Sequence, residues 1–449
     1  MRLEPEAETE AASAPVLPSE LEQEPHPPLT IDVPVKPEPI PGDEGPQGSS
    51  SDPTAVPQEK EGSDDEMGLT EEEARLRREQ KQPVLQWQPA ANGHTGAVTA
   101  IAYSHDSKLF ASGSDDSTIV LWDPSNQTII RRMEGHTDVV WALAFSPDDK
   151  RLASASADSN VIVWSVETGE QLATMSGHTE TIHPMVWSTD GKHIATGSDD
   201  MTVRLWDAET YQERFVLEGH DAMVTIVKFS PDDKLLASGG ADYCCRIWDV
   251  ATGAAHAELQ GHKGMVWDID FDKASRRIVT SSDDASARIW DLDTGETLVR
   301  IHEHHGPVWN VAFSKDGKSV LTASADSTLK ICDSFTGERQ LALTGHESMI
   351  NTAQFSPDGK YIASASCDNT VRLWRSADGS SLATFNEHDD KVTLVMFSPD
   401  GDTLASGADD GTVRIRLVNE WDPDRAEQEE EEGDAEGTAE KGDDDTRLE

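Results

Sequence analysis

A recurring pattern of short apolar runs and polar turns fills the middle of the chain. Residues 139–146 read VVWALAFS, which is largely apolar, as a strand covered on both faces should be. The turn SPDDK follows, then the strand RLASASA, a turn at 158–160, the strand VIVWSV, the turn ETGE and the strand QLATM. The pattern predicts four strands per unit, and the regular spacing of the turns favours an all-β architecture.

Three residue positions recur along this region at a constant interval of 42 residues. The first carries His94, His136, His178, His220, His262, His304, His346 and His388. The second carries Asp116, Asp158, Asp200, Asp242, Asp284, Asp326, Asp368 and Asp410. The third carries Trp122, Trp164, Trp206, Trp248, Trp290, Cys332, Trp374 and Arg416. Repeats of about 40–45 residues with a G-H…W-D signature indicate a β-propeller with four strands per blade.

The number of repeats predicts the number of blades. Eight His-to-Trp units each supply the inner three strands of a blade, and seven of them are followed by an outer-strand segment. The eighth is followed by an acidic tail, so we expect residues 84–88 (VLQWQ) to complete blade 8 and close the ring. Closure also removes two unpaired sheet edges. A seven-bladed ring with one displaced repeat is the alternative.

Composition divides the chain into four segments. Residues 1–67 are rich in Pro and Glu and too polar to bury a core, so we expect them to be disordered. Residues 68–83 contain a capping box and charged helix formers, which predict a short helix. We expect residues 84–419 to form the propeller and residues 420–449 to form a second disordered acidic tail.

Charge and targeting signals narrow the possible partners and location. The net charge is -48, and residues 1–83, 84–419 and 420–449 are each acidic, which argues against direct binding to nucleic acid or an anionic membrane. The sequence contains no apolar run long enough to span a membrane and no signal peptide. The spacing of the four cysteines matches neither a zinc site nor a disulfide framework. We therefore expect an intracellular protein, in the cytoplasm or the nucleus.

The sequence resembles the WD40-repeat family over residues 84–419. The resemblance implies that Asp, His, Ser or Thr, and Trp form a buried hydrogen-bond chain within each blade, since buried polar groups need partners. Six matching sets are complete: His94, Ser112, Asp116 and Trp122; His136, Ser154, Asp158 and Trp164; His178, Thr196, Asp200 and Trp206; His220, Ser238, Asp242 and Trp248; His262, Thr280, Asp284 and Trp290; His346, Ser364, Asp368 and Trp374.

Blades 6 and 8 depart from this pattern. Cys332 and Arg416 replace the Trp, and Glu-His replaces Gly-His at the start of both repeats. We therefore predict that the hydrogen-bond chain is broken in these blades and that they are the least stable.

The recurring Asp, His and Ser do not predict an enzyme. The set occurs eight times and includes a Trp donor, whereas nucleophilic catalysis needs one exposed Ser with an oxyanion hole. The cluster of His302, His304 and His305 has no nearby Cys and is a weak metal signal. We predict no catalytic residue, no metal site and no cofactor.

The positions that vary between repeats are candidates for partner binding. The resemblance implies that partners bind on the top rim of the propeller, and indoles, methionines and acids placed there suit a peptide or loop with a basic residue. In the alternative, the three indoles pack into the central channel and bind nothing. The predicted partner-binding residues are Trp141, Trp267, Trp309, His183, Met223, Met265, Met349, Asp115, Asp199, Asp283 and Asp409.

The resemblance also orders the possible functions. A non-enzymatic scaffold or adaptor that works in a multiprotein complex is the first. A ubiquitin-ligase substrate receptor is the second. Family members of that kind commonly carry Arg or Lys three residues after the repeat Trp position, but no repeat of this chain does. A chromatin or histone-binding subunit is the third, since acidic tails and an acidic rim suit basic tails. Other proteins are the expected partners, and the residues do not name them.

Overall fold

The computed structural model of the protein describes residues 93–418. The chain divides into the units Met1–Val84 and Leu85–Glu449, and the described residues lie in the second unit. The strand predicted at 84–88, the helix predicted at 68–83 and both predicted tails lie outside the described residues.

Residues 93–418 contain 31 strands in eight antiparallel sheets. Blades 1 to 4 are β1–β4 (Val98–Tyr103, Phe110–Ser114, Thr118–Asp123, Thr128–Glu134), β5–β8 (Val140–Phe145, Arg151–Ser156, Asn160–Ser165, Gln171–Ser176), β9–β12 (Ile182–Trp187, His193–Ser198, Val203–Asp207, Glu213–Leu217) and β13–β16 (Val224–Phe229, Leu235–Gly240, Cys245–Asp249, Ala255–Leu259). Blades 5 to 8 are β17–β20 (Val266–Phe271, Arg277–Ser282, Ala287–Asp291, Thr297–Ile301), β21–β24 (Val308–Phe313, Ser319–Ser324, Thr328–Asp333, Arg339–Thr344), β25–β28 (Ile350–Phe355, Tyr361–Ser366, Val371–Arg375, Ser381–Phe385) and β29–β31 (Val392–Phe397, Thr403–Ala408, Val413–Leu417).

The eight-bladed prediction is confirmed, and the seven-bladed alternative is wrong. Seven sheets have four strands, and the described residues of blade 8 supply three. The ring closes because blade 8 packs directly on blade 1. The Tyr103 hydroxyl lies 2.9 Å from Thr403 Oγ1, and the Asp400 backbone N–H donates to Ser107 Oγ at 3.1 Å. Val98, Phe110 and Ile415 share one buried cluster across the closure.

Side-chain size follows the depth of each strand in its blade. The second strand lies between neighbouring blades and is buried along almost its whole length, which favours small residues such as Ala153 and Ser154 in β6. The outer strand β8 is mostly exposed: Leu172 near its start is exposed, and Met175 near its end is the one buried residue. The sequence pattern thus changes from apolar to mixed because the blades diverge toward solvent.

The hydrophobic core consists of layers between consecutive blades. One layer joins Val161 and Met175 of blade 2 to Ile182, Ile194 and Trp206 of blade 3. Each blade therefore packs one face against the preceding blade and the other face against the following blade. Fully burying one large apolar side chain of this kind contributes roughly 1.5–3 kcal/mol.

A β-bulge near the start of the inner strand shapes the rim, by which we mean the end of the ring where the inner strands begin. In blade 2, Val140 pairs with Ser156 and Ala142 pairs with Ala155, so Trp141 is the extra residue. Bulges re-aim a side chain and interrupt strand pairing. The equivalent residues at this rim position are Thr99, Trp141, His183, Thr225, Trp267, Trp309, Asn351 and Thr393.

Candidate functional site

Each blade is fastened below the rim by a chain of side-chain hydrogen bonds. In blade 2, Trp164 Nε1 donates to Ser154 Oγ at 2.8 Å, and Ser154 Oγ lies 2.7 Å from His136 Nε2. His136 Nδ1 lies 2.8 Å from Asp158 Oδ2. The network assigns the proton of the neutral imidazole to Nδ1, so that Ser154 donates to Nε2.

The other five complete sets form the same chain. The His Nε2 to hydroxyl distances span 2.7–2.9 Å across the six blades, and the Trp Nε1 to hydroxyl distances span 2.8–2.9 Å. Every polar atom in the chain therefore has a partner, which is what makes its burial tolerable.

The electrostatics of the sets are those of a structural device. Burial lowers the pKa of His178, against the opposing effect of Asp200. Burial alone would raise the pKa of Asp158, but hydrogen bonds from the His136 side chain and the Thr137 backbone bring it down to about 2. A neutral imidazole, an ionised carboxylate and a completely buried hydroxyl offer no exposed nucleophile.

Blade 8 retains the hydrogen bond by a different donor, so the predicted break at Arg416 is wrong. Arg416 is 4% exposed, and its Nη1 donates to Ser406 Oγ at 3.3 Å. Its Nη2 pairs with Glu387, the residue that replaces the usual Gly before the repeat His. A buried guanidinium can substitute for an indole here because it offers several N–H donors and gains a carboxylate partner.

Blade 6 keeps the His and Asp but has no indole donor. His304 Nε2 lies 2.7 Å from Thr322 Oγ1, and His304 Nδ1 lies 2.9 Å from Asp326 Oδ2. Cys332 is completely buried, and burial, assisted by the charge of Glu303, raises its pKa to about 12. At this position the thiol acts as a small apolar group.

The Gly before each repeat His is coupled to the repeat Trp. A Cβ added to Gly135 would lie 2.8 Å from Cη2 of Trp164, closer than real Cβ contacts approach. Similar additions would lie 3.2–3.4 Å from the same Trp atom in blades 3, 4, 5 and 7. Blades 6 and 8 lack the indole and also have Glu303 and Glu387 in place of this Gly, so the two departures occur in the same repeats.

On the rim, Trp141 is exposed and at the same time supported. Its side chain is 37% exposed, and its ring centroid lies 5.2 Å from that of His183 in the next blade, at 54°. His183 Nε2 in turn lies 3.1 Å from Asp199 Oδ1. The structure thus brings three of the predicted binding residues into one contact series across blades 2 and 3.

The other two rim indoles are half-buried. Trp267 Nε1 donates to Asp283 Oδ1 at 2.5 Å, which fixes the indole and engages the carboxylate. Among the methionines, Met349 is 39% exposed, whereas Met223 and Met265 are half-buried. Of the predicted rim acids, Asp283 is therefore held by a hydrogen bond from its aromatic neighbour, whereas Asp199 lies close to His183.

The remaining predicted acids belong to another sector of the rim, formed by blades 8 and 1. Burial, followed by the charges of Asp390 and Asp115, raises the pKa of Asp409, while the nearby Lys391 acts in the opposite direction. Crowded carboxylates raise one another's pKa because each ionised group disfavours the next. Asp390 was missed by sequence reasoning, since the loop that carries it varies between repeats and has no fixed motif.

Four repeats use the rim position to connect neighbouring blades. Thr99 Oγ1 donates to the Val140 carbonyl at 2.6 Å, and Thr225 donates to the Val266 carbonyl. Asn351 Nδ2 donates to the Val392 carbonyl at 2.9 Å, and Thr393 makes the equivalent bond to blade 1. The other four repeats have Trp or His in place of this blade-to-blade bond. The contrast between small donors and aromatic residues was visible in the sequence, but its structural meaning was not.

Residues 93–418 contain no group of three or more His, Cys, Asp or Glu side chains that could hold a metal ion. The same part of the chain contains no helix with the length and apolarity needed to cross a membrane.

Comparison with known proteins agrees with this architecture. The family model for the WD domain, G-beta repeat, matches residues 87–123, 127–165, 337–375 and 379–416, and that for the WDR3 first beta-propeller domain matches residues 159–334. A crystal structure of the computationally designed protein Ika8 is similar, with 30% sequence identity and a TM-score of 0.66; the match covers 74% of this chain and 98% of that one. WD40 propellers are generally non-enzymatic scaffolds for protein interactions. The chain belongs to the WD40-repeat family.

Proposed function

We propose that the protein is a scaffold whose rim binds a segment of a partner protein that carries a basic residue. The observation that carries the proposal is the exposed but supported indole of Trp141. An aromatic side chain that is already held in place loses little conformational entropy on binding, and Trp is enriched among the residues that dominate binding energy.

The use of the rim position elsewhere in the ring supports this proposal. Thr99 and Asn351 show that the position can stabilise the ring by bonding to the next blade. Trp141 instead turns an apolar ring toward solvent. A packing role in the central channel does not account for the 37% exposure of Trp141. The half-buried Trp267 and Trp309 would extend the apolar contact around the rim.

The acidic sector supports the basic character of the partner. Asp283 accepts a hydrogen bond from Trp267 and so orients that indole, and Asp199 lies close to His183. Asp409 lies near the charges of Asp390 and Asp115, where a Lys or Arg side chain would relieve the repulsion among carboxylates. We therefore place the basic residue of the partner at blades 8 and 1 and an apolar residue at Trp141.

The experiment compares affinity-captured partners of the wild-type chain with those of Trp141→Ala/Trp267→Ala/Trp309→Ala. Ile130→Ala/Leu172→Ala is the matched control, because it removes exposed apolar side chains from the outer strands. All three proteins are first shown to be folded by thermal unfolding. We expect the rim variant alone to lose a set of partners. An identical partner list for all three proteins would contradict binding at the rim.

The basic residue is tested separately with Asp409→Asn/Asp115→Asn. We expect partners that depend on the indoles to be weakened by this variant also, and the effect to diminish at high salt. If binding of the partners is weakened by the indole substitutions but not by the carboxylate substitutions, the rim remains the binding site, and its proposed preference for a basic residue is wrong.

We also propose an intracellular location. The four cysteines all lie in the described part of the chain and are unpaired there, as is usual in a reducing compartment. Fluorescence of a tagged chain in its own cells would show the compartment, and secretion of the tagged chain would contradict the proposal.

A further inference from the structure

A cation recurs on the third strand of six blades, two residues before the repeat Trp position. The side chain lies near the Gly-His segment; in blade 5, Arg288 Nη2 donates to the Gly261 carbonyl at 2.7 Å, and its guanidinium lies 5.7 Å from the Trp290 ring centroid. These anchors fix the position of the guanidinium. The recurring cations are Arg204, Arg246, Arg288, Lys330, Arg372 and Arg414.

The residue opposite this cation on the outer strand is acidic in one blade and basic in another, so the local charge differs between blades. In blade 4 that residue is Glu258, and Arg246 bonds it at 2.8 Å and bonds Asp242 at 2.9 Å. In blade 5 the residue opposite Arg288 is Arg300. Like charges directly opposite one another on neighbouring strands destabilise a sheet, so blade 5 carries a charge conflict that blade 4 avoids.

The pKa of Arg288 agrees with the presence of a second positive charge opposite it. Burial, and then the charge of Arg300, lowers the pKa of Arg288, and Asp284 opposes them with a smaller effect. Arg300 is exposed on the outermost strand. A positive spot of this kind stands out on a chain whose net charge is -48.

An exposed apolar side chain adjoins the two arginines. Leu298 is 51% exposed and is the extra residue of a β-bulge in the outer strand, two positions before the exposed Arg300. The surface formed by Arg288, Leu298 and Arg300, hereafter the blade 5 side surface, therefore combines two guanidinium groups with one apolar contact. It lies on the third and outer strands, away from the inner-strand residues of the rim.

We propose that the blade 5 side surface docks an acidic segment of a partner protein, with a carboxylate between the two guanidinium groups and an apolar residue against Leu298. A carboxylate accepts paired N–H bonds from guanidinium forks and would relieve the Arg288–Arg300 repulsion. A polyanion such as a nucleic acid fits poorly, because the rest of the chain would repel its many phosphates. A short acidic peptide brings only local charge.

The test measures anisotropy of a fluorescein-labelled peptide, LEELEE, titrated with the full chain at about 50 mM and about 500 mM salt. The variant Arg300→Glu creates the arrangement found in blade 4 and is expected to fold at least as well as the wild type. Lys108→Glu is the control, since it makes the same charge change at an exposed site on blade 1. We expect Arg300→Glu to weaken binding by roughly tenfold or more and Lys108→Glu to leave it nearly unchanged.

Three outcomes would overturn the proposal. The first is failure of the wild-type chain to bind the peptide at low salt, and the second is equal weakening by both variants, which would indicate long-range charge alone. The third comes from a photo-crosslinking amino acid at position 298: crosslinks to the chain's own residues 420–449 in preference to the added peptide would identify an internal occupant. Crosslinks to the peptide that disappear in Arg300→Glu would support docking of a partner.

Discussion

Arg416 donates a hydrogen bond to Ser406 Oγ at 3.3 Å from the position that holds an indole donor in six other blades. Its guanidinium lies 4.7 Å from the ring centroid of Phe385 and pairs with Glu387. The indole and the Gly beside it have thus been replaced together by a guanidinium and a carboxylate. Blade 8 keeps a satisfied hydroxyl through the buried Arg416, whose charge is balanced by the half-buried Glu387.

We expect Arg416→Met to destabilise the protein by about 3 kcal/mol, because it removes the donor to Ser406 and leaves Glu387 without its charge partner. Urea denaturation measures the change in the free energy of unfolding. Arg339→Met is the control, because Arg339 and Glu303 form a more exposed pair at 3.4 Å, whose loss changes stability by at most about 1 kcal/mol. Equal losses in the free energy of unfolding for the two variants would show that the Arg416–Glu387 pair contributes no more than the more exposed pair.

Restoring the usual pair of residues in blade 8 tests the coupling directly. Arg416→Trp alone should destabilise, because the indole would meet the side chain of Glu387, and Glu387→Gly alone should leave Arg416 buried without a carboxylate. The double variant should recover most of the loss. In a double-mutant cycle we expect an interaction energy of at least about 1 kcal/mol, and additive effects would refute the coupling.

The Gly before the repeat His offers a second steric test in an intact blade. Gly135→Ala places a Cβ 2.8 Å from Cη2 of Trp164, so the indole or the loop must shift, and we expect a loss of about 1–3 kcal/mol. Gly93→Ala is the matched change in blade 1, where the same contact would be 3.8 Å and the nearest atom, the Gly411 oxygen, 3.4 Å away. Thermal unfolding should separate the two variants, and a loss as large for Gly93→Ala would count against the steric explanation.

The repeat spacing was sufficient to predict the fold because the spaced residues form the buried hydrogen-bond chain that stabilises every blade. The His, Asp and hydroxyl positions must meet within one buried chain, so their identities are constrained in each repeat. The 42-residue interval therefore predicted eight blades. The strand predicted at 84–88 remains a prediction, because it lies outside the described residues.

The rim was predictable only in outline. Sequence comparison between repeats identified Trp141 as variable, but the β-bulge that re-aims it depends on the pairing of Val140 and Ala142 with β6. The engagement of Asp283 by Trp267 depends on side-chain orientation, which spacing does not determine. Arg416 was misjudged because residue type suggested a broken chain, whereas the partner that makes it acceptable, Glu387, lies 29 residues earlier.

The four cysteines should differ sharply in reactivity. Burial raises the pKa of Cys332 to about 12 and also raises that of the completely enclosed Cys245, so both thiols stay protonated and shielded. Cys367 and Cys244 are half-buried. At pH 8 we expect iodoacetamide to modify Cys367 and Cys244 first, as followed by mass spectrometry. Alkylation of Cys332 at a comparable rate in the folded protein would contradict its placement, and denatured protein supplies the control in which all four react.

Acid should destabilise the propeller before its carboxylates are protonated. Burial lowers the pKa of His304 and of His388 to about 4, whereas the unfolded chain titrates near 6.5. Below pH 6.5 the two histidines are therefore protonated in the unfolded chain but not in the folded chain. The free energy of unfolding consequently decreases progressively down to about pH 4. Linkage gives a loss of about 2 kcal/mol for each of these two residues at pH 5.

One buried carboxylate acts in the opposite direction and provides the test. Burial raises the pKa of Asp268 to about 6, so this group binds a proton more readily when folded and offsets about 1 kcal/mol of the loss at pH 5. Urea denaturation at pH 7 and pH 5 should show a net destabilisation at the lower pH. Asp268→Asn removes the offset, so its stability should fall more steeply over the same interval. Equal stability of the wild type at the two pH values would contradict the burial of neutral His304 and His388.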